Sequence, residues 1–318
     1  MDTTSPEPVA PSDLAAADHA ARHWTWPEPG ALPIGSAAHR DATCAMFHQT
    51  FNPYKPSIID WPVLPPDALA RLTGLPIWDI AVQTEGKARL RMLAYANSLT
   101  DPVWREAIVL NSWEEGRHKT VLGNLVEAYG IKLEPEPVYR DPRDTEWAYL
   151  VTGFSECIDS FFAFGLFEVA KRSGFFPAAL VDTFEPVIQE EGRHILLFAN
   201  WLAWHRRRLP WWRRIWFELR VAAVWVFLAW ERIGIARGMD DGKGKAQDNN
   251  FTLTGSAAVS DAELSPVALM AVCLQENDRR FAGYDRRLLR PTTTPAIARL
   301  VCRWFQRRPR VATPSVAQ

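Results

Sequence analysis

The pentapeptide EEGRH occurs twice in this chain, at Glu114–His118 and at Glu190–His194, 76 residues apart. In each copy a glutamate precedes a histidine by three positions: Glu115 and His118, then Glu191 and His194. On a helix, residues three apart share a face, so each copy projects a carboxylate and an imidazole together. Oxygen and imidazole-nitrogen donors with no thiolate suit Fe(II) or Mn(II) rather than a structural zinc. His118 and His194 are also the only histidines between residues 49 and 204. A lone E-x-x-H on a helix is commonly a solvated face. Two copies beside apolar runs, IVLNSW before the first and ILLFANW after the second, read differently. Buried Glu and His are costly unless paired or bound to metal.

A dinuclear site between four helices needs one more carboxylate from each of two further helices. In an antiparallel hairpin, partners lie equally far from the turn. Glu85 lies 15 residues before a turn near Thr100 and Glu115 lies 15 after it. Asp79, 21 before that turn, is out of register by about 9 Å at 1.5 Å per residue. Glu85 also shares an apolar stripe with Val82 and Met92. For the second hairpin, Asp159 and Glu191 both stand 16 residues from a turn near Phe175, and Glu156 stands 19 before it. Height alone mildly favours Asp159; a π-bulged or proline-disturbed partner helix shifts the balance back to Glu156. The small residues Thr152, Gly153, Ser160 and Ala163 around Glu156 either leave a pocket for dioxygen or an apolar substrate, or permit close helix packing. Four carboxylates and two neutral imidazoles carry −4, which balances two Fe(II) ions.

The elements that must position these groups are helices. Periodicity near 3.6 and few glycines run from Pro76 to about Arg237. The pattern predicts helices over 76–99, 102–129, 144–173, 177–208 and 211–237. Asp101-Pro102 is a capped start, Gly130 and Gly174 are stops, and Pro186 should kink or break the fourth helix. Ser265-Pro266 opens a further helix to about Leu289, and a last one covers 295–306. No convincing strand is present, so the fold class is all-α. The organisation expected is a mobile arm over 1–45 and an irregular lead-in over 46–75 with a short helix near Asp67–Leu72. A helical bundle follows over 76–208, then additional helices over 209–306 with a polar loop at 238–262, and a tail over 307–318.

Composition removes several function classes. Among 318 residues, Lys+Arg 36 against Asp+Glu 37 gives a net charge of −1, which disfavours nucleic-acid binding by bulk charge. Four scattered cysteines with no C-x-x-C argue against a disulfide scaffold, a zinc ribbon or a rubredoxin-type site. The opening residues lack the order of a signal peptide, and a cytoplasmic location is the expectation.

The pattern E…[DE]-E-x-R-H…E…[DE]-E-x-R-H over residues 76–205 resembles the ferritin-like dinuclear-iron proteins. Within them it is most similar to the oxygen-activating branch of acyl-carrier-protein desaturases and multicomponent monooxygenase hydroxylases. The separations 115 − 85 = 30 and 191 − 156 = 35 resemble that branch as well. The resemblance implies a ferritin-like four-helix bundle with flanking helices, and Glu85, Glu115, His118, Glu156, Glu191 and His194 as ligands to two Fe ions, or to a Mn/Fe pair. It implies that Glu114 and Glu190 orient the imidazoles and that Arg117 and Arg193 hold those acids, with Asp159 kept as a ligand or a supporting group. Glu114 stands where the family commonly has Asp. The activity implied is O2-dependent hydroxylation or desaturation of an apolar or carrier-bound substrate, with electrons from an external reductase or ferredoxin. Competing expectations are a ferroxidase, iron store or peroxide scavenger, and a metal-free interaction module. A homodimer is the default assembly.

Residues 205–220, HRRRLPWWRRIWFELR, precede ten apolar residues, 221–230. Ten are too few to span a bilayer. Arg with Trp is the composition of an interfacial helix in peripheral contact with a membrane. A fifth core helix with a basic start is the simpler reading. The stretch Arg286–Arg310 has eight arginines and no acid after Arg286. It suits an acidic carrier, an anionic lipid, or plain solvent.

Overall fold

A computed structural model describes residues 10–20, 23–27, 30–54, 59–240 and 265–307. The described residues form ten helices and no strand, so the fold is all-α. Four long helices surround the two EEGRH segments: α4 (Trp78–Ser98), α5 (Pro102–Ala128), α6 (Thr145–Ser173) and α7 (Ala178–Arg208). Around the ring, α4 packs on α5 and α6, and α7 packs on α6 and α5.

Local chemistry sets the boundaries. Asp101 caps α5 by accepting from the N–H groups of Val103 and Trp104 at 3.0 and 3.2 Å, and Pro102 follows as the first helical residue. Asp144 caps α6 through the Trp147 N–H at 2.9 Å. Gly174 ends it in the left-handed region at φ 68°, where a side chain would be strained. Of the kink or break expected at Pro186, the break does not occur: helix α7 runs through it from Ala178 to Arg208. Pro186 forfeits one hydrogen bond, and burial of Leu180 and Val181 before it and Val187 after it holds both sides in one helix. Helix α6 is long and apolar enough to cross a membrane by composition, but its apolar window is mostly buried within the assembly.

The expectation of a mobile arm over 1–45 is corrected for part of its length. Helices α1 (Pro11–Ala20) and α2 (Ala37–Gln49) lie there. Ser36 caps α2 through the His39 N–H, and α2 buries His39, Thr43, Cys44, Met46 and Phe47 against α5 and α7. Burial of an apolar side chain as large as Met46 or Phe47 is worth roughly 1.5–3 kcal/mol. His39 Nε2 lies 2.9 Å from Asn200 Oδ1, and Asn200 also bonds the backbone of Leu289, so α2, α7 and the C-terminal region share one buried polar node. Trp24 stacks on Tyr284 at 4.7 Å, and Trp26 donates to the Gly283 carbonyl. Helix α3 (Pro66–Thr73) falls in the lead-in, as the sequence suggests.

Helix α8 (Trp211–Asp240) packs on α6, α9 (Pro266–Phe281) packs on α6 and α7, and α10 (Thr293–Arg307) packs on α9 and α6. The expected helix to Leu289 stops at Phe281 instead. Arg290 draws the chain into a turn by donating to the carbonyls of Phe281, Tyr284, Asp285 and Leu288. Of the expected polar loop at 238–262, residues 238–240 belong to α8 and the rest lies outside the described residues, as do 308–318 of the tail.

The interior is aromatic at one end. Tyr95 and Tyr149 stack at 4.4 Å, and Trp201 meets both edge-on at 5.2 and 4.7 Å. Gly165 lets α9 approach α6 closely: a Cβ there would overlap Cys273 Sγ and sit 2.9 Å from its Cα. Gly123 in α5 has nothing within 4 Å of the same position. Gly165→Ala is therefore expected to lower stability by about 1–3 kcal/mol through overpacking. Gly123→Ala should raise it by about 0.5–1 kcal/mol through helix propensity. Denaturant midpoints of the two variants check the contrast; equal stabilisation by both would contradict the packing of α9 on α6.

Candidate metal centre

Helices α5 and α7 present their EEGRH segments to each other, and the contacts cross over. His118 Nε2 on α5 donates to Glu190 Oε2 on α7 at 2.8 Å. His194 Nε2 on α7 donates to Glu114 Oε2 on α5 at 3.1 Å. Each acid thus orients the imidazole of the opposite helix, fixing its Nε2–H and leaving Nδ1 to face inward. The rings lie 5.3 Å apart at 28°.

The two orienting acids are held by two guanidinium groups. Arg117 Nη2 donates to Glu190 Oε1 at 2.7 Å and to Glu114 Oε1 at 3.0 Å. Arg193 Nη2 donates to Glu114 Oε1 and lies 3.6 Å from Glu190 Oε1. On their outer side, Arg117 donates to the Asn52 carbonyl and Arg193 to the Thr50 carbonyl. The rings of Phe51 and Trp113 flank Arg117 at 5.3 and 5.0 Å, and Phe47 flanks Arg193 at 5.2 Å. Two acids and two guanidiniums form a neutral square, almost wholly buried.

The inward atoms form a second set. His194 Nδ1 lies 2.8 Å from Glu115 Oε1 and 3.8 Å from Glu191 Oε2. His118 Nδ1 lies 3.1 Å from Glu191 Oε1 and 3.9 Å from Glu85 Oε2. Two overlapping groups, Glu115 with His118 and His194, and Glu85 with His118 and Glu191, each bring one donor atom per residue within 4.8 Å of the others. Glu156 reaches the same region from α6. The two histidine Nδ1 atoms face the carboxylates of Glu115 and Glu191, and both Glu156 carboxylate oxygens lack a hydrogen-bond partner. An unsatisfied buried polar group costs about 1–3 kcal/mol, so the Glu156 oxygens, beside two imidazoles already crowded by carboxylates, call for a further partner. Cations bound by nitrogen and oxygen meet that requirement, and the donor set fits them.

Electrostatics divides the carboxyls. Burial, then the charge of Glu115, pushes Glu85 and Glu156 well above the usual carboxylate range. Burial acts the same way on Glu115 and is the largest single influence, but the charge and hydrogen bond of His194, the hydrogen bond from Glu85 and the charge of His118 together keep Glu115 below that range. Burial disfavours both imidazolium forms, yet Glu190 and Glu191 raise His118, and Glu115 and Glu114 raise His194. Against burial, Arg193, His194 and Arg117 hold Glu114 down at about 2. Protons on Glu85, Glu156 and the histidines thus take the place of cation charge.

Asp159 behaves differently from Glu156. It accepts from Arg232 of α8 at 2.8 Å and from Ser155 at 2.8 Å, so its oxygens are spoken for. Between the two α6 candidates, Glu156 alone has both oxygens free of partners. Sequence reasoning missed Arg232, the Thr50 and Asn52 carbonyls and the ring of Phe51. The aromatic spacing in FHQTFN and a lone arginine after an apolar run are the signals that point to them.

A cavity of about 240 Å³ opens beside these groups, with Glu85, Glu115, His118, Glu156 and Glu191 in its wall. The remaining wall is mainly apolar, including Ala81, Leu122, Phe176, Leu180, Phe184 and Val187. Thr152, Ser160 and Ala163 line it, whereas Gly153 faces the Phe198 ring and serves packing. The small residues around Glu156 therefore do both of the things expected of them.

Two outcomes follow. Divalent metal must displace protons from the two histidines, Glu85 and Glu156, so loading should release protons and tighten as pH rises. Calorimetry of Mn(II) binding in buffers of different ionisation enthalpy measures this; binding without proton release would contradict the site. Glu114→Gln leaves Arg117 and Arg193 under-compensated and should cost about 3–5 kcal/mol. Because Glu114 is depressed from 4.5 to about 2, its contribution is complete above pH 4.5 and is lost as pH falls toward 2. Urea unfolding of wild type and variant across that window checks the sign. No protein-family model matches this chain, and no curated protein or solved structure is significantly similar to it.

Proposed function

We propose that the chain is a ferritin-like, dinuclear-metal oxidoreductase that uses dioxygen to hydroxylate or desaturate an apolar or carrier-bound organic substrate. The observation that carries this reading is a cluster of carboxylate and imidazole donors from four helices, Glu85, Glu115, His118, Glu156 and Glu191 of it in the wall of an apolar cavity. Glu85, Glu115 and Glu191 with His118, His194 and Glu156 would hold the metals. Four carboxylates neutralise two dications, a balance a low-dielectric interior requires. Iron, or a Mn/Fe pair, suits this oxygen–nitrogen set.

When bound, such a pair supplies reductive activation of dioxygen and attack on an unactivated C–H bond. The protein's part is positional and protective. Glu190 and Glu114 keep Nε2 protonated on each histidine, so Nδ1 remains the metal-facing nitrogen. Arg117 and Arg193 hold those two acids on the outer side, away from the cavity. The apolar wall excludes water and orders an organic chain beside Glu85 and Glu156. The sequence carries no flavin, nicotinamide or iron–sulfur signature, so electrons are supplied from outside by a reductase or ferredoxin. The cavity favours this reading over an iron store, because ion passage has no need of an apolar chamber of this size.

Anaerobic Fe(II) loading followed by elemental analysis tests the proposal. The wild type should hold about two metals per chain and consume dioxygen when given a chemical reductant. Glu115→Ala or His194→Ala should lose tight loading while keeping most helicity. Retention of two metals in either variant, or less than about one in the wild type, would contradict the ligand set.

A further inference from the structure

Helix α8 has two unlike faces. Phe217, Val221, Val224 and Leu228 are buried against the body of the protein, and Arg232 reaches Asp159 on the same side. This inner stripe is what a core helix needs. The outer face is not that of a solvated helix. Every exposed position from 215 to 233 is apolar: Ile215, Trp216, Leu219, Val226, Trp230 and Ile233, with alanines between them. Trp216, Val226 and Trp230 are about 70% exposed, at 71%, 70% and 69%. The stripe spans 233 − 215 = 18 residues, about 27 Å of helix. Apolar patches of this extent on a protein surface mark contact with a partner or a membrane.

The charge beside the stripe identifies the occupant. Arg207, Arg208, Arg213 and Arg214 are exposed at its N-terminal end, next to the exposed rings of Trp211 and Trp212. The Arg213 guanidinium lies over the Trp212 ring at 4.9 Å. The acids with described side chains on α8 are Glu218 and Glu231. The Glu218 side chain is 43% exposed and pairs with Arg206 at 3.1 Å, and the Glu231 side chain is only 11% exposed, so exposed arginines outnumber exposed acids at this end. A second copy meeting the stripe would thus bring more exposed arginines than acids to match them. Anionic lipid offers both the apolar layer and the counter-charge, and Trp with Arg is the composition of a helix lying at the headgroup boundary.

We propose that the outer face of α8 seats this protein on an anionic lipid bilayer, with α8 in the plane of the interface and the arginines among the headgroups. The proposal stands apart from the metal centre and does not depend on it.

Co-sedimentation of the full chain with vesicles tests it. The wild type should bind vesicles of phosphatidylcholine with about one-third phosphatidylglycerol, bind pure phosphatidylcholine far less, and weaken in high salt. Trp216→Glu, Val226→Glu and Trp230→Glu together should abolish binding while circular dichroism and the melting midpoint stay unchanged, because all three side chains face outward. Arg213→Gln and Arg214→Gln should each weaken binding about fivefold. Absence of wild-type binding to the anionic vesicles, or binding by the triple variant equal to wild type, would overturn the proposal. So would a wild-type dimer in analytical ultracentrifugation that the triple variant dissolves without any vesicle binding, since a second copy would then cover the face.

Discussion

Taking charge out of water is the constraint on which this structure turns. Two arginines, two histidines and several glutamates lie between four helices, most of them inaccessible to solvent. Each such charge costs several kcal/mol unless it is compensated at close range. The fold compensates in two layers. The outer layer is the square of Glu114, Glu190, Arg117 and Arg193, which closes its own charge balance with protein groups alone. The inner layer, Glu85, Glu115, Glu156 and Glu191 with the two Nδ1 atoms, has no protein counter-charge of its own. Protons fill that role in the metal-free chain, and in the proposed function two dications would fill it.

The crossing of the contacts links this balance to the architecture. Because Glu190 holds His118 and Glu114 holds His194, neither helix can orient its own ligand; each needs the other in register. The site is therefore a statement about how α5 and α7 pack. Helix α2 and the residues after it close the outer side, giving the guanidinium groups two carbonyls and a wall of aromatic rings. On the inner side, Arg232 of α8 occupies Asp159, which keeps that acid from competing for the position of Glu156. One helix, α8, thus supports the cavity wall with one face and carries the exposed apolar stripe on the other.

Much of the site was readable because its grammar is local. Repetition of EEGRH and the i, i+3 spacing need no knowledge of tertiary structure, and counting from the turn selected Glu85 over Asp79. The choice between Glu156 and Asp159 was not readable from height, because the deciding group, Arg232, is 73 residues away in sequence. The burial of α2 was obscured for a similar reason. Its alanines, prolines nearby and weak periodicity look like a free arm up to residue 45, and only the faces of α5 and α7 make His39, Thr43 and Cys44 buried residues. Pro186 was read by its local rule, and packing on both sides kept the helix from ending there. For α8 the sequence left a core helix and an interfacial helix both open, because Trp and Ala at helical spacing suit either; the structure buries Phe217, Val221, Val224 and Leu228 and leaves Trp216 and Trp230 exposed.

Anomalous diffraction from crystals loaded anaerobically with Fe(II) or Mn(II) tests the central claim most directly. The account predicts two peaks per chain roughly 3.5–4 Å apart. One should lie about 2.0–2.3 Å from His118 Nδ1 and the other at the same distance from His194 Nδ1, with Glu85, Glu115, Glu156 and Glu191 around them. A density map with no peak between α4, α5, α6 and α7, or with metal bound through Nε2 and the Glu114–Glu190 square broken, would contradict it.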